Sequence, residues 1–333
     1  MTQIAAPVPA DTSRWAKLIV LCAGMLMIIL DQTITTVALP SIQSDLHFSQ
    51  SSLAWVVNAY LIAFGGLLLL AGRLGDLLGR RNMFVGGLAV FVASSLVCGL
   101  ADSEAMLISA RFVQGIGGAM TSAVILGMIV ALFPQPAEQA RAIGVYSFVA
   151  AAGASLGLLA GGVLTETLSW HWIFFVNVPI GIATGVVALR LLDHEPGLGI
   201  GHDADAAGAA LITSALMLGV YTILQSTDHG WGTPRTLALS AATVALLGAF
   251  GWREQRARNP LLPLAVLRHR NVMGANAVQI LLIAGIFGQF FLGRRSHIRN
   301  LSSYPRLGIW AKWPSALTPR PLAAAGRRPG VAG

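Results

Sequence analysis

The chain has 333 residues, of which 55% are hydrophobic and 11% charged, with a mean hydropathy of +0.70. A soluble domain carries roughly 25% charged residues, so a large soluble domain is excluded and a polytopic membrane protein is indicated. The formal charge of +8 arises in residues 293–333, which hold eight Lys and Arg and no acid, leaving 14 basic against 14 acidic residues in 1–292; without a folded basic face this is no sign of nucleic-acid binding.

A bilayer span needs about 20 mostly apolar residues. Nine such spans are expected, at about 17–40, 53–72, 82–101, 105–133, 141–164, 172–192, 206–225, 236–252 and 272–292. The first is followed by more span and not by a small-residue cleavage site, so it is expected to remain. Cys22 and Cys98 lie in apolar spans and fit no metal or redox spacing.

The first span, LIVLCAGMLMIILDQTITTVALP, contains Asp31. An ionised carboxylate facing lipid is costly, so Asp31 is expected to face the bundle interior or a water-filled cavity. Thr33, Thr35 and Thr36 make the same helix polar enough to line one. The competing reading is a carboxylate that only pairs with a neighbouring helix and never titrates.

The loop GRLGDLLGRR, Gly72 to Arg81, joins the second and third spans. Gly72, Gly75 and Gly79 punctuate it, and it carries Arg73, Arg80 and Arg81 around Asp76. Asp76 and Arg80 are four apart, so a helical turn would bring them together. A basic loop alone would explain the arginines but not the acid.

The fourth span carries Arg111. At 1.5 Å of rise per residue it lies about 9 Å from one end, and Asp31 about 13 Å from Pro40 at the same side of the membrane. The two are therefore expected to couple, which reduces the cost of burying both. Gly115, Ala119, Ala123 and Gly127 follow at intervals of four. In the fifth span Gly153, Gly157 and Gly161, with Gly162 beside the last, give a second small-residue stripe. Such stripes allow close helix packing. GIGGA is no dinucleotide fingerprint, because no strand precedes it.

Loop charges alternate. Arg14, Lys17, Arg73, Arg80, Arg81, Arg141, Arg190, Arg253, Arg256, Arg258, Arg268 and Arg270 fall on one side and Arg235 alone on the other. The positive-inside rule then places the N-terminus in the cytoplasm. Trp15, Trp55, Trp170, Trp172, Trp231 and Trp252 lie near span ends, where an aromatic belt would be. No P-loop sequence and no paired histidine motif occurs, so neither an ATP-driven pump nor a metal enzyme is indicated.

From about residue 293 the composition changes abruptly and five prolines appear. Two readings stand: a disordered basic extension, or out-of-frame translation of a gene that continued into further spans. The latter is favoured, and reading the other frames downstream decides between them.

At these motifs the sequence resembles the major facilitator superfamily, specifically its fourteen-span drug:proton antiporters. The resemblance is carried by LDQTITTVALP, GRLGDLLGRR, RFVQGIGGA, WHWIFFVNVPIG and DADAAGAAL, and covers about residues 15–292. The segment GASLGLLAGG departs from that branch, with Leu158 where a kinking proline would be expected. The resemblance implies an all-α membrane fold: a six-span domain over 1–192, a linker and extra span pair over 193–255, the first span of a second domain over 256–292, and an aberrant tail over 293–333. It implies proton-driven efflux of hydrophobic or cationic small molecules across the inner membrane, with no cofactor beyond the proton gradient. Asp31 and Arg111 would serve proton coupling, and Asp76 with Arg73, Arg80 and Arg81 would latch one conformation. Only part of the second domain would be present, so the 333-residue chain is expected to be inactive, and the alternative is a non-transporting membrane fragment or pseudogene product.

Overall fold

The computed structural model describes residues 12–194, 196–199, 205–257, 269–279 and 281–282. Among them are nine helices and no strand: α1 Thr12–Asp45, α2 Gln50–Leu78, α3 Arg80–Gly99, α4 Glu104–Leu132, α5 Pro136–Thr167, α6 Trp172–Phe175, α7 Asn177–Leu191, α8 Ala206–His229 and α9 Pro234–Glu254. With α6 and α7 taken together as one crossing, eight segments are long and apolar enough to span a membrane. They correspond to the first eight expected spans.

The chain divides into two compact units, Met1–Leu264 and Ala265–Gly333. In the second, residues 270–279 are helical. The rest of the expected ninth span and the basic tail lie outside the described residues.

Local chemistry sets the helix ends. Ser49 caps α2 by accepting from the Ser52 amide, and Thr233 caps α9 ahead of Pro234 in the first turn. Asp205 caps α8 through the Gly208 amide at 2.8 Å. Gly79 separates α2 from α3 with φ 95°, a left-handed conformation that side chains strongly disfavour. The Asp76–Arg80 ion pair, at 3.0 Å, therefore bridges the end of one helix and the start of the next instead of lying along one helical turn.

In the first unit α4 packs most extensively against α2 and α3, and α1 against α5 and α7. A Cβ at Gly115 would sit 2.5 Å from the Tyr60 carbonyl oxygen, so α2 and α4 touch backbone to side-chain position there. Gly153, Gly157 and Gly161 face α1 at Leu26, Thr33 and Ile34. Gly162 departs from the packing expected of it: it faces open space, with nothing within 4 Å of a Cβ. With Leu158 in place of proline every backbone donor is present, and α5 runs without a break from Pro136 to Thr167. Trp170 is not part of an exposed belt; it is 3% exposed and donates from Nε1 to Asp45 Oδ2 at 2.8 Å.

Two apolar clusters fill the bundle. One holds Ile28, Phe84, Phe91 and Ile125 towards the N-terminal end of α1; the other holds Ile34, Val56, Leu107 and Phe174. Between Ile28 and Ile34 lies Asp31. α8 packs on α2 and on α9, and Arg253 at the end of α9 reaches back to Asp205 at 2.7 Å.

Candidate functional site: a buried carboxylate network

Asp31 and Arg111 are each 1% exposed. Burying either alone would be costly, and the fold answers that cost with direct pairing. Arg111 Nη1 donates to Asp31 Oδ2 at 2.6 Å. Its Nε donates to the Val56 carbonyl at 3.0 Å, and Nη1 also donates to Gln114 Oε1 at 2.7 Å. The flat guanidinium lies over the Tyr60 ring, with Cζ 4.4 Å from the centroid. That face-on arrangement adds cation–π attraction in a dry environment.

The other carboxylate oxygen is held by two amides. Gln114 Nε2 donates to Asp31 Oδ1 at 2.9 Å, and Asn177 Nδ2 donates to the same atom at 2.8 Å. Asn177 Nδ2 also lies 3.1 Å from Ser95 Oγ, and Ser95 donates in turn to the Phe174 carbonyl at 2.9 Å. Cys98 Sγ lies 3.7 Å from Gln114 Oε1. Asp31 thus joins α1 to α4 and α7, and through Asn177 and Ser95 to α3.

Each partner has a local reason for its place. Gln114 is three residues after Arg111 on α4, so both side chains leave the same face. Asn177 is the first residue of α7, just past the turn at Val176 that ends α6. Two buried atoms in this region have no hydrogen-bond partner, Tyr60 Oη and Asn177 Oδ1.

The loop motif forms a separate group. Arg80 donates to Asp76 Oδ1 from Nε and Nη2, and from Nη1 to the Gly127 carbonyl on α4 at 3.2 Å. Arg81 donates to the Leu189 carbonyl on α7. A Cβ at Gly75 would lie 2.4 Å from Val124 Cγ1, and one at Gly72 4.0 Å from Ala123 Cβ, so α2 lies flat on α4 here. The motif therefore ties α2, α3, α4 and α7 at one end of the bundle. Arg73 is not brought into this group: its Nε is buried without a partner, and with Asp76 it lines a cavity of about 480 Å³ together with Met25, Phe64, Leu68 and Tyr146.

An all-helical bundle of apolar spans enclosing a buried carboxylate–guanidinium pair defines a multi-pass membrane protein with a polar device at its centre. The chain belongs to the Major Facilitator Superfamily, whose family model matches residues 21–316. That match runs past residue 293 into the basic tail. The chain is 40% identical over 280 residues to the puromycin resistance protein pur8 of Streptomyces alboniger, covering 84% of this chain and 55% of that protein. It is 42% identical over 248 residues to the cephamycin export protein CmcT of Amycolatopsis lactamdurans, covering 74% of this chain and 51% of that one. The chain spans about half the length of the curated relatives it matches. In fold it is similar to the human organic anion transporter MFSD10 (TETRAN), with a TM-score of 0.50 at 16% identity, over 62% of this chain and 54% of that one.

Proposed function

We propose that this protein is a proton-coupled efflux transporter of the fourteen-span drug:proton branch. It sits in the cytoplasmic (inner) membrane with the N-terminus and the Arg80 end of the bundle inside, as the loop charges favour. Residues 12–191 supply one six-span half of the alternating-access machine, in which substrate lies between two halves that rock against each other. The observation that carries the reading is the Asp31–Arg111 contact of 2.6 Å, fully buried among uncharged amides. An ionisable pair inside a membrane bundle marks a proton or ion pathway by default.

The chemistry follows from the partners. While Asp31 is ionised it accepts from Arg111, Gln114 and Asn177 and holds α1, α4 and α7 together. A proton arriving on Asp31 removes the charge that holds Arg111 and makes one oxygen a donor that faces donors already in place, Arg111 at Oδ2 or Gln114 and Asn177 at Oδ1. The network must then rearrange, and α7 is free to shift relative to α1. The Asp76, Arg80 and Arg81 contacts at the inner end act as the latch that this shift opens. Proton movement is the energy source, and no cofactor enters.

The substrate in this reading is a small hydrophobic molecule, often cationic. The largely apolar cavity of about 480 Å³, with both Arg73 and Asp76 on its wall, supports the hydrophobic part of that class. So do the relatives whose names give puromycin resistance and cephamycin export.

The test is efflux of ethidium from cells lacking their own exporters, with and without a protonophore. Efflux by the 333-residue chain that the protonophore and Asp31→Asn both abolish supports the proposal. Efflux that survives either one sinks the proton coupling. Chain found inserted in the membrane without any efflux counts against the reading.

A further inference from the structure

A second cavity, of about 280 Å³, opens at the N-terminal end of α1 and is unlike the first. Arg14 and Lys17 reach it from α1, Arg80 and Arg81 from the start of α3, while Met128 and Leu132 at the end of α4 supply an apolar wall. The spans that frame it begin at Ser13 and Arg80 and end at Leu132 and Leu191, so it lies where hydrocarbon gives way to headgroups. Positive-inside bias accounts for basic residues at this level. It does not account for four of them, from two helices, turned into one concavity.

Their present partners are weak competitors. Lys17 pairs with Asp193, whose side chain is 73% exposed, and Arg14 with Glu138, which is 37% exposed. Lys17 and Arg14 are themselves only 13% and 23% exposed, but each acid keeps a face to solvent, so either pair can open without burying a lone carboxylate. Arg81 Nε is buried without a hydrogen-bond partner, and the first turn of α3 has no side-chain cap. The Lys17 and Arg81 cations beside an apolar wall fit a phosphate oxyanion that carries an apolar attachment.

We propose that this pocket is a binding site for a phosphate group at the membrane interface, with Lys17 and Arg81 as its principal donors. Two sources share that chemistry: an anionic phospholipid headgroup, and free phosphate. Basic pockets between membrane helices take such headgroups. Occupancy by either would bridge α1 and α3 at the end where Arg80 and Arg81 tie α4 and α7. The inference does not depend on proton coupling or on efflux.

The experiment uses the purified 333-residue chain in phosphatidylcholine nanodiscs or micelles. Native mass spectrometry measures retention of dioleoyl phosphatidylglycerol against dioleoyl phosphatidylcholine. Preferential retention of the anionic lipid is expected, falling about fivefold for each cation removed in Lys17→Gln and Arg81→Gln. The fold-independent companion is Asp193→Asn, which releases Lys17 and is expected to raise retention. Millimolar inorganic phosphate that displaces the lipid identifies free phosphate as a competent source; lipid unaffected by phosphate identifies the headgroup. Equal retention of the two lipids, no loss in Lys17→Gln, or a loss in Asp193→Asn overturns the proposal.

Discussion

Asn177 on α7 donates to Asp31 on α1 across 2.8 Å, and the same nitrogen lies 3.1 Å from Ser95 on α3. One amide thus connects three spans. Asn177→Ala would leave Asp31 Oδ1 with Gln114 as its remaining donor. A hydrogen bond to a charged group contributes roughly 1.5–3 kcal/mol, so a loss of that size is expected in unfolding of the purified protein by urea. Asn177→Asp places a second carboxylate beside the first and is expected to cost more. A smaller loss for Asp than for Ala would contradict the donor role.

Arg111 and Asp31 should behave as a unit. Removing one partner of a buried pair costs about 3–5 kcal/mol because the other charge is left uncompensated. Arg111→Leu is expected to lose that much in thermal unfolding. Asp31→Leu combined with Arg111→Leu is expected to lose clearly less than the two single losses together. Simple additivity would mean that the 2.6 Å contact stabilises nothing.

Two glycines chosen for packing differ sharply. A Cβ at Gly115 meets the backbone oxygen of Tyr60 at 2.5 Å, and backbone cannot step aside as a flexible side chain can. Gly115→Ala is expected to cost about 1–3 kcal/mol through overpacking between α2 and α4. Gly162→Ala meets nothing and is expected to leave the midpoint of thermal unfolding unchanged or slightly higher, since Ala favours helix over Gly by about 1 kcal/mol. Equal losses at both positions would refute the packing assignment.

The α8–α9 clasp carries a pH dependence. Burial pushes the Asp205 carboxyl up, but the Arg253 hydrogen bond and the Gly208 and Ala207 amides more than reverse this, leaving it below the ordinary carboxylate range. A carboxylate with a lowered folded value contributes stability above its unfolded value and loses it as pH falls through the folded one. Hydrogen exchange at the first turns of α8 is therefore expected to be protected equally at pH 7 and pH 5 and to lose protection below about pH 3.8. Asp205→Asn should already be less protected at pH 7 and lack the acid step; an unchanged acid step in that variant would assign it to another group.

Much of the bundle was legible because lipid leaves few options: apolar runs of span length can only be helices there. The Asp31–Arg111 contact could be anticipated from depth alone, since each was an isolated charge in its span and helical rise converts sequence position into height. Gln114 and Asn177 lie inside RFVQGIGGA and WHWIFFVNVPIG, yet the sequence does not mark them as site residues. Neither carries charge, so no burial penalty flagged them; the i, i+3 spacing from Arg111 was the available signal for Gln114. For Asn177 there was none, because its reach depends on the turn at Val176. Asp76 and Arg80 meet as their spacing suggested, but across Gly79 and not along a helix. Trp170 shows the limit of reading position from residue type: an indole near a span end can equally be an interior hydrogen-bond donor, and here Asp45 makes it one.

Gly79 has a mechanical meaning beyond its conformation. It alone stands between α2 and α3, so there is no slack to let one slide lengthwise past the other. With Arg80 bonded to Asp76 on one side and to Gly127 on the other, the junction behaves as a pin joint that permits pivoting but not telescoping. A tilt of α2 at this end is therefore handed directly to α3 and, through Arg80, to α4 at Gly127.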